Sequence, residues 1–206
     1  MAVTSKPPPP PDPDVVERHR IVVIAGHSGD LTIVEAHLAD PAAIVRQAAF
    51  SALHRLGACT ADHVRAATAD PAPRVRARAS ELAVHIDGVT PAALLDDQDS
   101  SVVEVACFAC GEVSWPPGTA PITQLSVIAT SHDDALCRES AAAALGAIGD
   151  PAGLDAVLLA CTDRVTVRRR ATLALAAFDD PRADKVLHAA LDDKDWQVRQ
   201  AAEDLL

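Results

Sequence analysis

Three groups of residues in this 206-residue chain have types and spacings that chemistry could use. Cys107 and Cys110 form a CxxC pair, which is half of a tetrahedral thiolate zinc site or a redox dithiol. Eight histidines (19, 27, 37, 54, 63, 85, 132 and 188) stand among 29 carboxylates, the donor types that iron takes when several converge. Arg46, Arg76, Arg138, Arg168 and Arg199 run in parallel with Asp40, Asp70, Asp97, Asp163 and Asp193. That series reads either as a charged catalytic row or as guanidinium–carboxylate braces between turns. The CxxC has no second pair, and the histidines share no common register. No metal site and no cofactor is therefore expected, and the Arg–Asp series leaves both readings open at this point.

The elements that must position these residues repeat. AIVRQAAFSALHRLG (43–57), ALCRESAAAALGAIG (135–149) and VTVRRRATLALAAFD (165–179) share one helical pattern. Its Val position recurs at 45, 75, 102, 137, 167 and 198, at intervals of 27 to 35 residues. A period in that range marks helical hairpins that bury their apolar faces only by stacking on neighbours. Six units follow. Each has a first helix (near 31–39, 61–69, 91–96, 121–131, 152–161 and 182–191), an Asp-bearing turn, and a second helix starting near the Val. Thr90-Pro91, Asp150-Pro151 and Asp180-Pro181 each put a capping side chain before a proline at the first helical position. Residues 14–27 predict one helix that looks like the second half of a missing first unit and caps the array. Residues 1–13 (MAVTSKPPPPPDP) read as a disordered Pro-rich tail, because consecutive prolines lack donors and favour polyproline II. The expected organisation is that tail followed by a single solenoid domain over 14–206.

Composition narrows the function classes. A formal charge of −11 argues against a nucleic-acid backbone or an anionic membrane as the main target. No run approaches the length of a membrane span, and the N-terminus has no signal-peptide core. Five cysteines at apolar helix positions fit reduced, buried thiols, so a cytoplasmic location is expected.

The Asp, Val-Arg, Ala-rich, Leu-Gly and Gly-Asp-Pro sequence, as in CRESAAAALGAIGDP (137–151), where Cys137 stands at the Val position, resembles the HEAT-like repeat named after phycobilisome lyases. The resemblance covers about 14–206, strongly in units one, four, five and six and weakly in two and three. It implies an all-α, right-handed α-solenoid of about six helix pairs, with the second helices on the concave side. It also implies an Arg–Asp ladder between adjacent turns, which makes the Arg–Asp series structural and leaves no catalytic residue expected; unit three departs from it by carrying Val103 in place of Arg. Relatives with this repeat include the deoxyhypusine hydroxylases, oxidoreductases that bind iron through His-Glu pairs directly after Val-Arg. Here those slots read Gln47-Ala48, Ala77-Arg78, Glu104-Val105, Glu139-Ser140, Arg169-Arg170 and Gln200-Ala201. Hydroxylase chemistry is not expected. A phycobilin-lyase-like enzyme and a nucleic-acid binder using Arg74, Arg76, Arg78 and Arg168 to Arg170 remain as rival classes.

Helix geometry then selects a surface. At about 100° per residue, positions two, six and nine after the conserved Val point away from the buried stripe. Across the middle repeats this exposes Phe108, Ala143 and Leu173, rimmed by Glu104, Glu139 and Arg169. An apolar centre with a charged rim fits a groove for a protein or peptide partner. Trp115, in the long Ser114–Pro121 junction, is a further candidate anchor. The expected function is a non-catalytic scaffold or adaptor.

Overall fold

A computed structural model describes residues 12–206. The Pro-rich tail expected over 1–13 falls, through residue 11, outside the described residues. Among the described residues the protein is all-α, with twelve α-helices, three short 3-10 segments and no strands. The chain divides into two compact units, one ending at His63 and the other running from Val64 to Leu206.

In the first unit, α1 (Pro13–Ser28) starts one residue before the expected boundary, because Asp12 accepts a hydrogen bond from the Asp14 N–H and Pro13 sits at the first helical position. Helix α1 packs on α2 (Leu31–Ala36) and α3 (Ala43–Arg55). Its Gly26 lies so close to α3 that a Cβ there would stand 2.7 Å from the Ala52 Cβ. Helix α4 (Ala61–Thr68) straddles the division between the units.

The second unit continues with α5 (Pro73–Ala83), α6 (Ser100–Glu112), α7 (Ile122–Ser131), α8 (Ala135–Ile148), α9 (Leu154–Ala160), α10 (Val165–Ala174), α11 (Pro181–Ala190) and α12 (Trp196–Glu203). First and second helices alternate as the period predicts. One first helix is reduced to a 3-10 turn, Pro91–Leu94. The reason is local: Thr90 caps it through the Ala92 N–H, but the acidic turn at Asp96 and Asp97 arrives before a full α-helical turn can propagate. Asp150 and Asp180 cap their proline starts as expected, through the Ala152 and Arg182 N–H groups.

The second helices α5, α6, α8, α10 and α12 pack consecutively, and the contact between α6 and α8 is the most extensive. The conserved Val positions are fully buried, as are the Leu positions at 53, 82 and 145. Gly111 and Gly146 occupy the repeat slot of Gly26, eight residues after the ladder arginine position. A Cβ on Gly111 would stand 3.2 Å from the Ala144 Cα, and one on Gly146 would stand 2.6 Å from the Ala174 Cβ and 2.8 Å from its Cα. The helices approach this closely only because those positions lack a side chain.

Candidate functional site

The Arg–Asp series is a ladder. Arg76 reaches Asp97 (Nε–Oδ2 2.7 Å, Nη2–Oδ1 2.8 Å), Arg138 reaches Asp163 (2.6 and 3.0 Å), and Arg168 reaches Asp193 (3.0 and 2.9 Å), each as a bidentate pair. Each arginine also donates from Nη1 to a backbone carbonyl of its own turn: Asp70 O for Arg76, His132 O for Arg138 and Asp163 O for Arg168. Each aspartate in turn accepts a backbone N–H at the start of the next second helix: Asp99 on Asp97, Arg164 on Asp163 and Asp195 on Asp193. The guanidinium contacts hold Asp97, Asp163 and Asp193 below the usual carboxylate range, against the opposing effect of burial. With their guanidinium and carboxylate groups paired to one another, these residues brace adjacent turns.

Two features of the ladder escaped the sequence reading. Arg18 of α1 pairs with Asp40 (2.8 Å), a further rung made by the helix expected to be the second half of a unit. The signal was present, since Arg18 precedes Asp40 by 22 residues and Arg76 precedes Asp97 by 21. The other feature is a double replacement. Where Val103 takes the Arg slot, the facing Asp slot, five residues before the conserved small residue of α8, holds His132. His132 Nδ1 accepts the Asp134 N–H at 3.0 Å and so keeps the turn-capping half of the Asp role. A hollow of about 540 Å³ between Val103, Val127, Ile128 and His132 lies where the ion pair stands in other joints.

The cysteines are packing residues. Cys107 and Cys110 are fully buried in α6, and burial pushes both thiols up, Cys110 to about 12, so neither is a thiolate near neutral pH. Among the described residues no group of three or more His, Cys, Asp or Glu is placed to hold a metal ion. The slots that would carry iron-binding His-Glu pairs hold none, so these residues do not fit an iron centre of the hydroxylase kind.

The predicted surface residues divide. Phe108 is 60% exposed and Leu173 45% exposed, on α6 and α10, and Ala143 occupies the same repeat slot on α8 between them. Ala143 and Leu173 line one shallow hollow of about 400 Å³ with Gly146, Ala147, Arg170 and Ala174. Glu104 is half-buried one helical turn before Phe108. Glu139 lies 3.8 Å from Arg170. Arg169 is engaged by α12, its Nε lying 3.2 Å from Asp195, and the arginine that lines the hollow is Arg170. The helical pattern pointed to Arg169 alone, and the position of α12, which brings Asp195 beside Arg169, is what leaves Arg170 at the hollow. Trp115 is separate from the row. Its Nε1–H donates to the Cys110 carbonyl at 2.8 Å, ending α6, and its ring helps line a hollow of about 690 Å³ between the 84–91 and 112–119 loops. Trp196, the first residue of α12, is 63% exposed.

No helix among the described residues is long and apolar enough to cross a membrane. The family model for HEAT repeats matches residues 122–206. No curated protein matches the sequence. Among solved structures, human deoxyhypusine hydroxylase in complex with glycerol is 19% identical, with a TM-score of 0.47 over 94% of this chain and 79% of that one. The crystal structure of an engineered protein is 21% identical, with a TM-score of 0.44 over 91% of this chain and 85% of that one. The family match, the paired helices and the Arg138–Asp163 and Arg168–Asp193 rungs all fall in the same stretch, and it is over residues 122–206 that the chain matches the model of HEAT repeats.

Proposed function

We propose that the protein is a non-catalytic binding scaffold that presents α6, α8 and α10 to a protein or peptide partner. The observation that carries this reading is the row Phe108, Ala143 and Leu173, one repeat slot on three consecutive helices, with both large side chains turned outward. Adjacent second helices lie about 8–10 Å apart, so the row spans a length suited to a partner helix or an extended segment. Apolar side chains aligned in this way mark interaction surfaces more often than scattered exposed ones do. The enzyme reading has no matching support in the residues: the slots after Val-Arg lack His-Glu pairs, and the arginines are committed to braces. The five cysteines are all free, in keeping with a reducing, cytoplasmic setting.

The test is affinity capture with quantitative mass spectrometry, comparing the wild type with Phe108→Asp and Leu173→Asp. Both side chains are exposed, so each change is expected to alter stability by less than about 0.5 kcal/mol. A specific partner is expected to bind at least tenfold more weakly. Variants that fold normally and retain every partner would move the binding surface elsewhere, and a variant that unfolds would make Phe108 a core residue.

A further inference from the structure

We infer that the α6 end of this face takes a positively charged peptide segment of another protein, carrying a bulky apolar anchor for Phe108; this rests on the binding reading above. The charge of the chain is not evenly spread. From Ala79 to Cys137 there is no lysine or arginine, while Glu81, Asp87, Asp96, Asp97, Asp99, Glu104, Glu112, Asp133 and Asp134 all lie there. That stretch therefore holds −9 of the formal net −11, and two of its nine carboxylates, Asp97 and Glu81, are balanced by Arg76 and Arg78 from outside it. The replacement of the ladder arginine by Val103 removes the one cation that the repeat pattern would have placed on α6.

Phe108 stands in the middle of this stretch. Glu104 and Glu112 sit one turn before and one turn after it on the same helix face. Neither carboxylate makes an ion pair or a side-chain hydrogen bond among the described residues, unlike Glu81, which pairs with Arg78, and Glu139, which faces Arg170. Unpaired carboxylates flanking an exposed aromatic ring cost little in the free protein, because water solvates them. They favour an incoming cation through complementary potential, and they disfavour an acidic or neutral competitor. Glu112 also lines the hollow beside Trp115, together with Asp87, Ile86 and Val113. The indole of Trp115 is half-buried and fixed through its N–H to the Cys110 carbonyl. An aromatic face beside two carboxylates suits the stem and head of a lysine or arginine side chain. The apolar anchor at Phe108 and the cation-accepting hollow at Trp115 are thus joined through Glu112.

A phage-displayed library of random 16-residue peptides, selected against the full chain, tests this without presupposing the partner. Selected peptides would be synthesised and their affinities measured by fluorescence anisotropy at low and high NaCl against the wild type, Phe108→Asp and Glu104→Gln/Glu112→Gln. The expected peptides are rich in Lys and Arg with one or two bulky apolar residues. They should bind at least tenfold more weakly at high salt and about tenfold more weakly to the glutamine double variant, with no change in its melting temperature. Peptides without net positive charge that nonetheless lose binding to Phe108→Asp would overturn the charge inference while leaving the binding face intact. Selected peptides indifferent to Phe108→Asp, or failure to select any peptide, would overturn both. Light scattering that shows a dimer of this chain dissolved by Phe108→Asp would put a second copy on the face and overturn the basic-peptide assignment.

Discussion

The joint between α8 and α10 and the joint between α6 and α8 solve the same problem by different means. The first has both a close helix contact, with Gly146 against Ala174, and an ionic rung, Arg138 on Asp163. The second has no rung, since Val103 and His132 replace both partners, yet it is the more extensive helix contact of the two. Buried Val103, Cys107 and Cys110 of α6, with Cys137 and Ala141 of α8, supply apolar surface there, and Cys137 Sγ donates to the Ser100 carbonyl at 3.1 Å. The pair of joints shows that the ladder is an addition to apolar packing rather than its substitute: losing a guanidinium and its carboxylate together leaves no unpaired charge behind. A single loss would.

The sharpest way to break this comparison is through the two glycines. Gly146→Ala would bring a Cβ within 2.8 Å of the Ala174 backbone, which side-chain motion alone cannot relieve. The variant is expected to lose about 2 kcal/mol even after the helix-propensity gain of about 1 kcal/mol. Gly111→Ala meets the Ala144 Cα at 3.2 Å, where a shift of a few tenths of an ångström suffices, so overpacking and propensity nearly cancel and the change stays within about 1 kcal/mol. Urea midpoints of the two variants check the order; the reverse order would mean that α6 and α8 are the more rigidly apposed pair.

Removing the rung at the first joint comes next. Arg138→Ala leaves Asp163 facing no guanidinium and is expected to cost about 1–2 kcal/mol at pH 7, near the upper range for a partly solvated bidentate pair. The pH dependence has a definite sign. Asp163 is held low in the folded protein, so its contribution is fully present above the unfolded carboxylate value of about 3.9 and disappears as pH falls towards the lowered folded value. The gap between wild type and Arg138→Ala should therefore close below about pH 4. A gap unchanged at pH 3 would show that the arginine stabilises through its bond to the His132 carbonyl and its packing rather than through the ion pair.

The smallest effect is the attempt to make the joints alike. Val103→Arg sets a guanidinium in the hollow opposite His132, and His132→Asp sets a carboxylate opposite Val103, so each alone should destabilise. Combined, they should recover about 1 kcal/mol relative to the sum of the single changes, the coupling expected of contacting charges. Additive behaviour in this double-mutant cycle would show that the backbone at this joint no longer places the two slots in reach of each other.

Much of this arrangement was legible in the sequence because it depends on local rules. The Val-Arg period, Asp150 and Asp180 ahead of prolines, and the outward slot of Phe108 and Leu173 follow from helix geometry and capping alone, and the structure places each of them as those rules require. The ladder was legible only through resemblance to a known repeat. What stayed hidden depends on neighbours. Arg169 and Arg170 differ by one residue on the helix, and the position of Asp195 decides between them. The tight apposition at Gly146 requires the path of α10, and the His132 replacement shows itself only when two distant turns are laid side by side. The reduction of the 91–96 helix to a 3-10 turn needed a count of residues against the acidic turn, which the period had averaged away.

Because Arg138 and Arg168 each read only an aspartate in the following turn, the repeats they belong to are interchangeable parts. Excising residues 139–168 would deliver Arg138 to the place of Arg168, where Asp193 offers the same two oxygens. The Val103–His132 joint does not share this freedom. Moved elsewhere, Val103 would face an aspartate with no cation, and His132 would face an arginine with no carboxylate. The double replacement therefore confines such an exchange to repeats that lie on one side of the α6–α8 joint.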